Sequence, residues 1–529
     1  MVKNFIICLI IPVLFFGCYT SKSYIHGSNE SDEIINQASL KANLEFLASD
    51  ALEGREAGTR GEELAALFIT SELKKYGVQP FYGDTSYFQN MNLRYSTFSD
   101  ECELNLINNK GQNIKQFVYG SEFVGSTYYL TENDTTTSLV FAGYGITADE
   151  YNYDDYANID VAGKYVLILA GEPPSEDTAY FAGTKNTSYA NSRHKIRNAK
   201  DHNAAGIIMP SLFEKEFGWD RLVNYVKKGK VKLDNYSEDD EKPKSDSKFT
   251  LLYVNENSQK EIMQFGKFSF EKVNEIFEKE GEMPVYAFEN QVQVSMKIDD
   301  SRVEKAHNIL AIIEGNDPVL KNEYIAIGAH YDHEGKTERG VYNGADDNGS
   351  GTVALMEVAK AFAATRENKR SIFISFFTAE EKGLLGSKYL VKNLDILNNI
   401  KAHINLDMIG RGSADTIYSI GSDKLSSELK EIVENVNASN EKFYLNYKFD
   451  DPTDPQRLYY RSDHYNFAKN DIPVVFFFDY QMEDYHKPTD DVEKINFEKV
   501  RRVAKLTYGI ALHVANLNHK LKVDKLASQ

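Results

Sequence analysis

The chain has 529 residues, of which 42% are hydrophobic and 26% charged, with a formal net charge of −19 and a pI near 5.2. This length exceeds one ordinary hydrophobic core, so two or three domains are expected. The composition argues against wholesale disorder. The acidic balance argues against a nucleic-acid-binding protein, which needs basic patches.

The N-terminus has the pattern of an export signal. Lys3 precedes an apolar run, Phe5 to Phe16, which is too short to span a bilayer and is followed by Gly17-Cys18. The L-F-F-G-C ending resembles a bacterial lipobox, which predicts a signal peptide at 1–17, lipidation of Cys18 and a tether at 18–32. An ordinary cleaved signal or an uncleaved anchor are the alternatives. We therefore expect an exported chain on the bacterial cell envelope, with membrane contact through the lipid only.

Three further regions follow the tether. Residues 33–104 begin with a helical pattern, in which Leu64 and Phe68 lie on one apolar stripe and Gly77 ends the helix. Residues 105–298 contain short β-rich runs and a charged stretch at 236–248 that is typical of an exposed loop, so we predict an inserted β-rich domain. In residues 299–529 strands alternate with helices, which indicates an α/β fold.

The α/β region contains five predicted strands and four predicted helices. The strands are Asn308–Ile313, Tyr324–Ala329, Ser371–Thr378, His403–Leu406 and Val474–Phe478. The helices are Gly351–Ala364, Gly383–Asn393, Ser426–Asn437 and Phe497–Leu517.

Ionisable residues follow three of these strands directly. His330 comes after the second strand, Glu380 and Glu381 after the third, and Asp407 after the fourth. Ligands of open α/β sheets bind at the carboxyl ends of the strands, so this placement indicates a site. Two more candidates flank it: Asp346 precedes a predicted helix, and His486 lies in the loop beyond the last strand.

These residue types suit zinc. Zinc takes histidine nitrogen and carboxylate oxygen, and a catalytic zinc keeps one position open for water. Five ligands serve two ions if one carboxylate bridges them, as in two-metal hydrolases. Each short motif alone is more often a surface histidine, a helix start or a turn, and their joint occurrence is what points to a site. Asp332 is the expected carboxylate partner of the His330 ring.

With these motifs the chain resembles the co-catalytic di-zinc aminopeptidases, the group of bacterial leucyl aminopeptidases, aminopeptidase Y and glutamate carboxypeptidase. The resemblance covers about 33–100, with F-L-A-S-D-A-L-E-G-R-E-A-G-T, and 300–515. It implies a three-layer α/β/α sandwich around a mostly parallel mixed sheet, and two Zn²⁺ ions for which Co or Mn can substitute.

The resemblance also implies a role for each residue. Asp346 bridges the metals, His330 and Asp407 complete one, Glu381 and His486 complete the other, and Glu380 is the general base. A cis peptide between Asp346 and Asp347 is implied as well. The insert, with F-A-G-Y-G-I, resembles a protease-associated domain, and either a role in access or partner contact or a plain spacer fits it.

The activity implied is removal of N-terminal residues from peptides with a free N-terminus. In this hypothesis Glu380 takes a proton from a water between the metals and returns it to the departing amine. Tyr460, Asp463 and His464 are candidates for the substrate pocket, with structural packing as the equal alternative.

Three rival functions stay open. A glutaminyl cyclase of the same fold uses one zinc, and an inert binding module needs none. A carboxypeptidase acting on acidic dipeptides needs a cationic pocket, for which Arg411 and Arg461 are the candidates.

Overall fold

The structure, a computed structural model, describes residues 34–83, 86–234, 249–281, 283–454 and 456–525. The predicted signal peptide, Cys18, the tether and the 236–248 loop lie outside these residues. Among the residues that are described, no helix combines the length and apolar character needed to cross a membrane.

The chain divides into two units. Unit 1 comprises Met1–Gln89 and His307–Gln529, and unit 2 comprises Asn90–Ala306. These bounds differ from the predicted insert at 105–298. The strand Phe88–Phe98 pairs with Lys230–Leu233, which places most of it with the insert, and the second boundary falls inside one continuous strand, Ile298–Ile313. Sequence patterns do not show a boundary within a strand.

Unit 1 is built on a mixed sheet. Its strands in chain order are β1 Gln79–Pro80, β2 Ile298–Ile313, β3 Tyr324–His330, β4 Ser371–Phe377, β5 Ile400–Leu406, β6 Thr416–Ile420, β7 Tyr444–Asn446 and β8 Val474–Phe478. The order across the sheet is β1-β2-β4-β3-β5-β8-β6-β7. Four neighbouring strands, β4, β3, β5 and β8, run parallel, while β2 and β6 pair antiparallel at either side of them.

Helices cover both faces of this sheet. They are α1 Gln37–Leu47, α2 Arg60–Lys75, α3 Gly351–Thr365, α4 Leu385–Lys392, α5 Ser427–Ser439, α6 His464–Ala468 and α7 Phe497–Ala515. Alternate side chains of β3 separate two cores: Ile325 and Ile327 pack with α1, α2, α3 and α7, whereas Ala326 packs with α4 and α6. The structure thus confirms the mixed α/β fold, as three layers. All five strands predicted for this region are present, Val474–Phe478 with the predicted ends and the other four with ends shifted by a few residues or extended.

The described residues of unit 2 include an eight-stranded mixed sheet and five α-helices. In sheet order the strands are Asn113–Phe117, Glu103–Ile107, Val285–Met296, Asn133–Ala142, Tyr165–Leu167, Gly206–Met209, Thr250–Val254 and Phe123–Gly125. The helices are Ser192–Asp201, Leu212–Phe217, Trp219–Lys227, Glu256–Phe265 and Phe270–Glu280. The similarity of this unit to a protease-associated domain stays a prediction.

A buried arginine connects the N-terminal segment of unit 1 to its sheet. Arg55 is 1% exposed, and its guanidinium donates hydrogen bonds to four backbone carbonyls, those of Leu47, Tyr331, Asn343 and Gly344. Burial lowers the pKa of Arg55 to about 10, although nearby carboxylates such as Asp332 and Asp490 oppose that shift. Three of these carbonyls belong to the segments next to His330 and before Asp347, and that of Leu47 lies at the end of α1.

The loop that carries Arg55 requires a glycine beside it. Gly54 has φ +73°, and a Cβ there would lie 2.2 Å from the carbonyl oxygen of Gly335. The backbone N–H of Gly335 donates to the Gly54 carbonyl over 3.0 Å, and that of His333 donates to the Arg55 carbonyl over 3.1 Å. The E-G-R-E-A-G motif therefore holds the 333–335 turn in place through these two backbone hydrogen bonds.

Replacing Arg55 by lysine tests this role. Lysine has fewer donors and cannot reach all four carbonyls, so we expect the free energy of unfolding to fall by about 3 kcal/mol. Urea denaturation measures this free energy of unfolding. The control is Arg60→Lys, because Arg60 is exposed and forms a surface ion pair with Glu63 on α2, where the expected change is within about 0.5 kcal/mol. Equal, small changes in both variants would contradict the role given to Arg55.

Candidate metal centre

The four parallel strands deliver their side chains to one edge of the sheet. His330 is the last residue of β3, and Asp407 directly follows β5. Glu380 and Glu381 come just after β4, and His486 lies in the loop beyond β8. Parallel strands end at a common edge, and this is why residues far apart in sequence meet there.

The first group of candidate ligands consists of His330, Asp407 and Asp347, all buried. The His330 Nε2 atom lies 3.2 Å from Asp407 Oδ1 and 3.4 Å from Asp347 Oδ1. The other oxygen of Asp407 accepts a hydrogen bond from Ser462 Oγ over 2.8 Å, and Ser462 in turn accepts one from Asn405. Asp407 thus has one oxygen held by the protein and one directed at His330.

The second group shares Asp347. The His486 Nε2 atom lies 3.3 Å from Asp347 Oδ2 and 2.9 Å from Glu381 Oε2. Burial favours the neutral form of Asp347, but hydrogen bonds from His330 and His486 prevail and lower its pKa to about 2. Each oxygen of one carboxylate therefore faces a different histidine, which is the arrangement expected of a bridging ligand.

These distances fit zinc. Two donors at about 2.1 Å from a tetrahedrally coordinated ion lie about 3.4 Å apart. The donor pairs of the first group are separated by 3.2 and 3.4 Å, and those of the second by 2.9 and 3.3 Å. In addition, the Nε2 atom of His486 is buried and lies between oxygens of Asp347 and Glu381. The donor set and its spacing suit one ion on each side of Asp347.

The bridging position given to Asp346 from the sequence must be corrected to Asp347. The Oδ1 atom of Asp346 points away from the cluster and accepts the backbone N–H of Gly410 over 2.7 Å. Burial, followed by repulsion from Asp479 and Asp490, raises the pKa of Asp346 well above its usual range. The implied cis peptide is also displaced by one residue, since it lies between Asp347 and Asn348.

Glu380 lies beside the first group. Its Oε2 atom is 4.0 Å from His330 Nε2, and its side chain is 10% exposed. Burial, together with the charges of Glu381 and Asp407, raises the pKa of Glu380 well above its usual range, although His330 opposes the shift. A carboxylate with a raised pKa next to a metal group is suited to accept and return a proton.

Asp332 connects His330 to Glu380. The His330 Nδ1 atom lies 3.2 Å from the backbone oxygen of Asp332 and 3.7 Å from its Oδ1 atom. That same Oδ1 accepts the backbone N–H of Glu380 over 3.1 Å. Asp332 therefore fixes the orientation of the His330 ring through its backbone and the position of Glu380 through its carboxylate.

Asp490 was missed by the sequence analysis. Its Oδ2 atom accepts the backbone N–H groups of Asp346 and Asp347, over 3.0 and 3.1 Å, and its carbonyl accepts that of Ala345. It follows His486 by four residues, in the motif Y-H-K-P-T-D-D. The only sequence signal was this proximity, and the same motif could equally have been an exposed turn.

An apolar pocket adjoins the cluster. Four carboxylates form one wall, and apolar side chains and one arginine form the rest: Asp347, Glu380, Glu381, Asp407, Met408, Leu458, Arg461, Phe476, Phe478, Met482 and Tyr485. The Tyr485 ring also stacks on that of His486 at 3.8 Å. Such a pocket suits a ligand with a cationic end at the carboxylates and an apolar side chain.

The three weaker pocket candidates are not among the described residues that line it. Asp463 and His464 are fully buried, and burial raises the pKa of Asp463 to about 7 and lowers that of His464 to about 3. The His464 ring stacks on Phe476, a pocket wall, at 4.6 Å. Tyr460 is 39% exposed and packs against Tyr459 and Tyr465. Of the three, His464 contacts a lining residue directly.

Paired variants distinguish Asp347 from Asp346 as the bridging ligand. In Asp347→Asn the bridge loses a charged oxygen, so we expect zinc affinity to fall by roughly 100-fold or more. Asp346→Asn should retain its zinc, because the neutral amide can still accept from Gly410 and mimics a protonated carboxyl. Bound zinc per chain after dialysis against a weak chelator measures both. The reverse result would restore Asp346 as the bridge.

The chain is similar to known peptidases over part of its length. Residues 308–511 match the family model of peptidase family M28. A probable leucine aminopeptidase of Trichophyton verrucosum (strain HKI 0517) is 28% identical over 219 residues, 39% of this chain and 57% of the relative. Leucine aminopeptidase 2 of Arthroderma otae is 34% identical over 173 residues, 32% of each chain. The match thus spans between a third and somewhat over half of these relatives' length.

The fold is similar to that of a solved aminopeptidase from Aneurinibacillus sp. strain AM-1. The likeness covers 94% of this chain and 98% of that one, with a TM-score of 0.56 and 19% identity. The matched segment, 308–511, contains every candidate ligand described above. Residues 308–511, which contain the candidate metal centre, are therefore similar to peptidase family M28.

Proposed function

We propose that the chain is a zinc-dependent aminopeptidase that removes apolar N-terminal residues from peptides. The observation that carries the proposal is the position of Asp347, whose two oxygens face His330 with Asp407 on one side and His486 with Glu381 on the other. Two relatives are named leucine aminopeptidases, one of them probable, which supports the choice of reaction.

Two zinc ions fit the two groups of ligands. His330 and Asp407 would hold one, Glu381 and His486 the other, with Asp347 shared. When bound, zinc supplies a Lewis acid for the scissile carbonyl and lowers the pKa of water towards neutrality. Cobalt or manganese would suit the same donors.

Glu380 is the general base in this proposal. Its carboxylate lies at the pocket wall beside His330, and its backbone is held by Asp332. It takes a proton from the attacking water and returns it to the nitrogen of the departing amine. The oxygen of the water thereby enters the new carboxyl group, and the peptide bond is cleaved.

The pocket determines which residue is removed. Its carboxylate wall attracts the α-ammonium group of a free N-terminus, while Met408, Leu458, Phe476 and Phe478 offer contact to an apolar side chain. Burying such a side chain contributes about 1.5–3 kcal/mol relative to leaving it in water.

The rival functions fit less well. Arg411 is buried and paired with Asp484, so it does not supply the cationic pocket that an acidic-dipeptide carboxypeptidase needs. Of the described residues that line the pocket, Arg461 is the one cation. A glutaminyl cyclase needs one zinc, whereas ligands for two are grouped here, and an inert module has no use for Glu380.

The neighbouring variants Glu380→Gln and Glu381→Gln test the mechanism. We expect Glu380→Gln to keep its zinc while kcat on leucine p-nitroanilide falls by about 10²–10⁴-fold, because only the base is lost. Glu381→Gln should instead lose zinc, because a ligand is removed. Zinc content and steady-state kinetics measure the two effects. Full activity in zinc-loaded Glu380→Gln would exclude this base.

Substrate pairs test the specificity. We expect kcat/KM for Leu-Gly to exceed that for Glu-Gly by at least about 10-fold, since an acidic side chain loses the apolar contact and faces four carboxylates. N-acetyl-Leu-Gly should not be cleaved, because it lacks the ammonium group. Release of free amino acid, followed by chromatography, measures all three. Preference for Glu-Gly, or cleavage of the acetylated peptide, would favour a carboxypeptidase.

A further inference from the structure

A second histidine of the H-Y-D-H motif lies inside the centre. His333 is fully buried, and its Nδ1 atom lies 2.8 Å from Glu381 Oε1. The other oxygen of that carboxylate, Oε2, lies 2.9 Å from His486 Nε2. Glu381 therefore stands between two imidazoles, one on each oxygen.

The ring of His333 is held from several sides. Its backbone N–H donates to the Arg55 carbonyl. A Cβ at Gly344, whose φ is +54°, would lie 2.6 Å from ring carbon Cδ2 and 2.2 Å from the backbone oxygen of Asp347, so Gly344 packs closely against this ring. The ring has little freedom to turn away from Glu381.

His333 could be a further metal ligand or a hydrogen-bond donor to Glu381, and the distances distinguish these two roles. Nδ1 lies 3.9 Å from Asp347 Oδ2, farther than the 3.3 Å between that oxygen and His486 Nε2. The contact with Glu381, in contrast, has the length of a hydrogen bond to a carboxylate. The His333 and His486 ring centres are 5.8 Å apart. His333, Asp347 and Glu381 lie close enough together to hold an ion, but the longer distance to Asp347 favours a hydrogen bond from His333 to Glu381 over a further metal contact.

We propose that His333 is a positioning residue, whose Nδ1–H holds Oε1 of Glu381 so that Oε2 is presented together with His486. The inference rests on the proposed two-zinc function. A neutral imidazole with its proton on Nδ1 makes this bond. Hydrogen bonds of this kind orient metal-bound carboxylates, and losing one typically weakens metal binding 10–100-fold. The effect is confined to the ion held by Glu381 and His486.

The test compares the wild-type chain with His333→Ala and His333→Asn. Asparagine is the matched control, because its side-chain amide nitrogen stands near the position of Nδ1 and can donate to Glu381. Each protein is stripped of metal, checked by thermal unfolding, and titrated with zinc against a competing chelator of known affinity. We expect wild type to bind two ions.

In His333→Ala, one of the two zinc affinities should fall by about 10–100-fold while the other changes by less than about threefold, and His333→Asn should recover most of the loss. An equal fall of both affinities, or no recovery with asparagine, would overturn the inference. If His333→Ala does not fold, His333→Asn alone decides: near-wild-type affinities support the inference, and selective loss of one ion overturns it. Fewer than two zinc ions in wild type would instead overturn the proposed function itself.

Discussion

Buried carboxylates lie close together at the edge where the four parallel strands end. Their mutual repulsion must be offset, and the other features of the centre serve to offset it. They are Asp332, Asp346, Asp347, Glu380, Glu381, Asp407, Asp463 and Asp490. Transfer of a charge from water to a protein interior is unfavourable unless an opposite charge or hydrogen bonds accompany it. Three histidines and Arg55 do not balance this many acids. The cations proposed to bind at Asp347 would offset the imbalance.

The carboxylates of the centre differ in their hydrogen-bond partners and therefore in their roles. Asp347 shares its two oxygens between two groups, while Asp346, next to it, is turned inward to the Gly410 N–H and has a raised pKa. Asp332 and Asp490 do not face the pocket and instead accept backbone N–H groups of Glu380 and of the Asp346–Asp347 pair. Identical side chains thus become a bridge, a buried neutral acid or a backbone anchor according to their hydrogen bonds.

The N-terminal segment belongs to this arrangement, although none of its described residues is among the candidate ligands. Arg55 binds carbonyls on both sides of the cluster, and its own carbonyl receives the N–H of His333. A fully buried guanidinium with four acceptors holds its surroundings in one geometry. Zinc sites require ligands at fixed positions. Because the turns that carry candidate ligands lie outside regular strands, a buried group such as Arg55 is needed to fix those turns.

Much of the fold and of the site could be predicted from the sequence. Strand β8 was predicted to the residue because a fully apolar run between turn signals has one interpretation, and His330, Glu381, Asp407 and His486 were found because they follow such strands. The prediction of Asp346 as the bridging residue was wrong. Motif spacing cannot distinguish two adjacent aspartates, whereas their hydrogen bonds show which of them faces the two groups. The burial of Arg55 was not predicted, because a buried arginine in a glycine-rich turn has the same sequence pattern as an exposed one. The roles of His333 and Asp490 likewise depend on contacts between distant segments.

The most direct measurement of the central claim is anomalous diffraction at the zinc edge from crystals of the zinc-loaded protein. The account predicts two peaks about 3.5–4 Å apart, one on each side of the Asp347 carboxylate. One peak should lie between His330 and Asp407, and the other between Glu381 and His486. A single peak, or peaks next to Asp346 and away from Asp347, would contradict it.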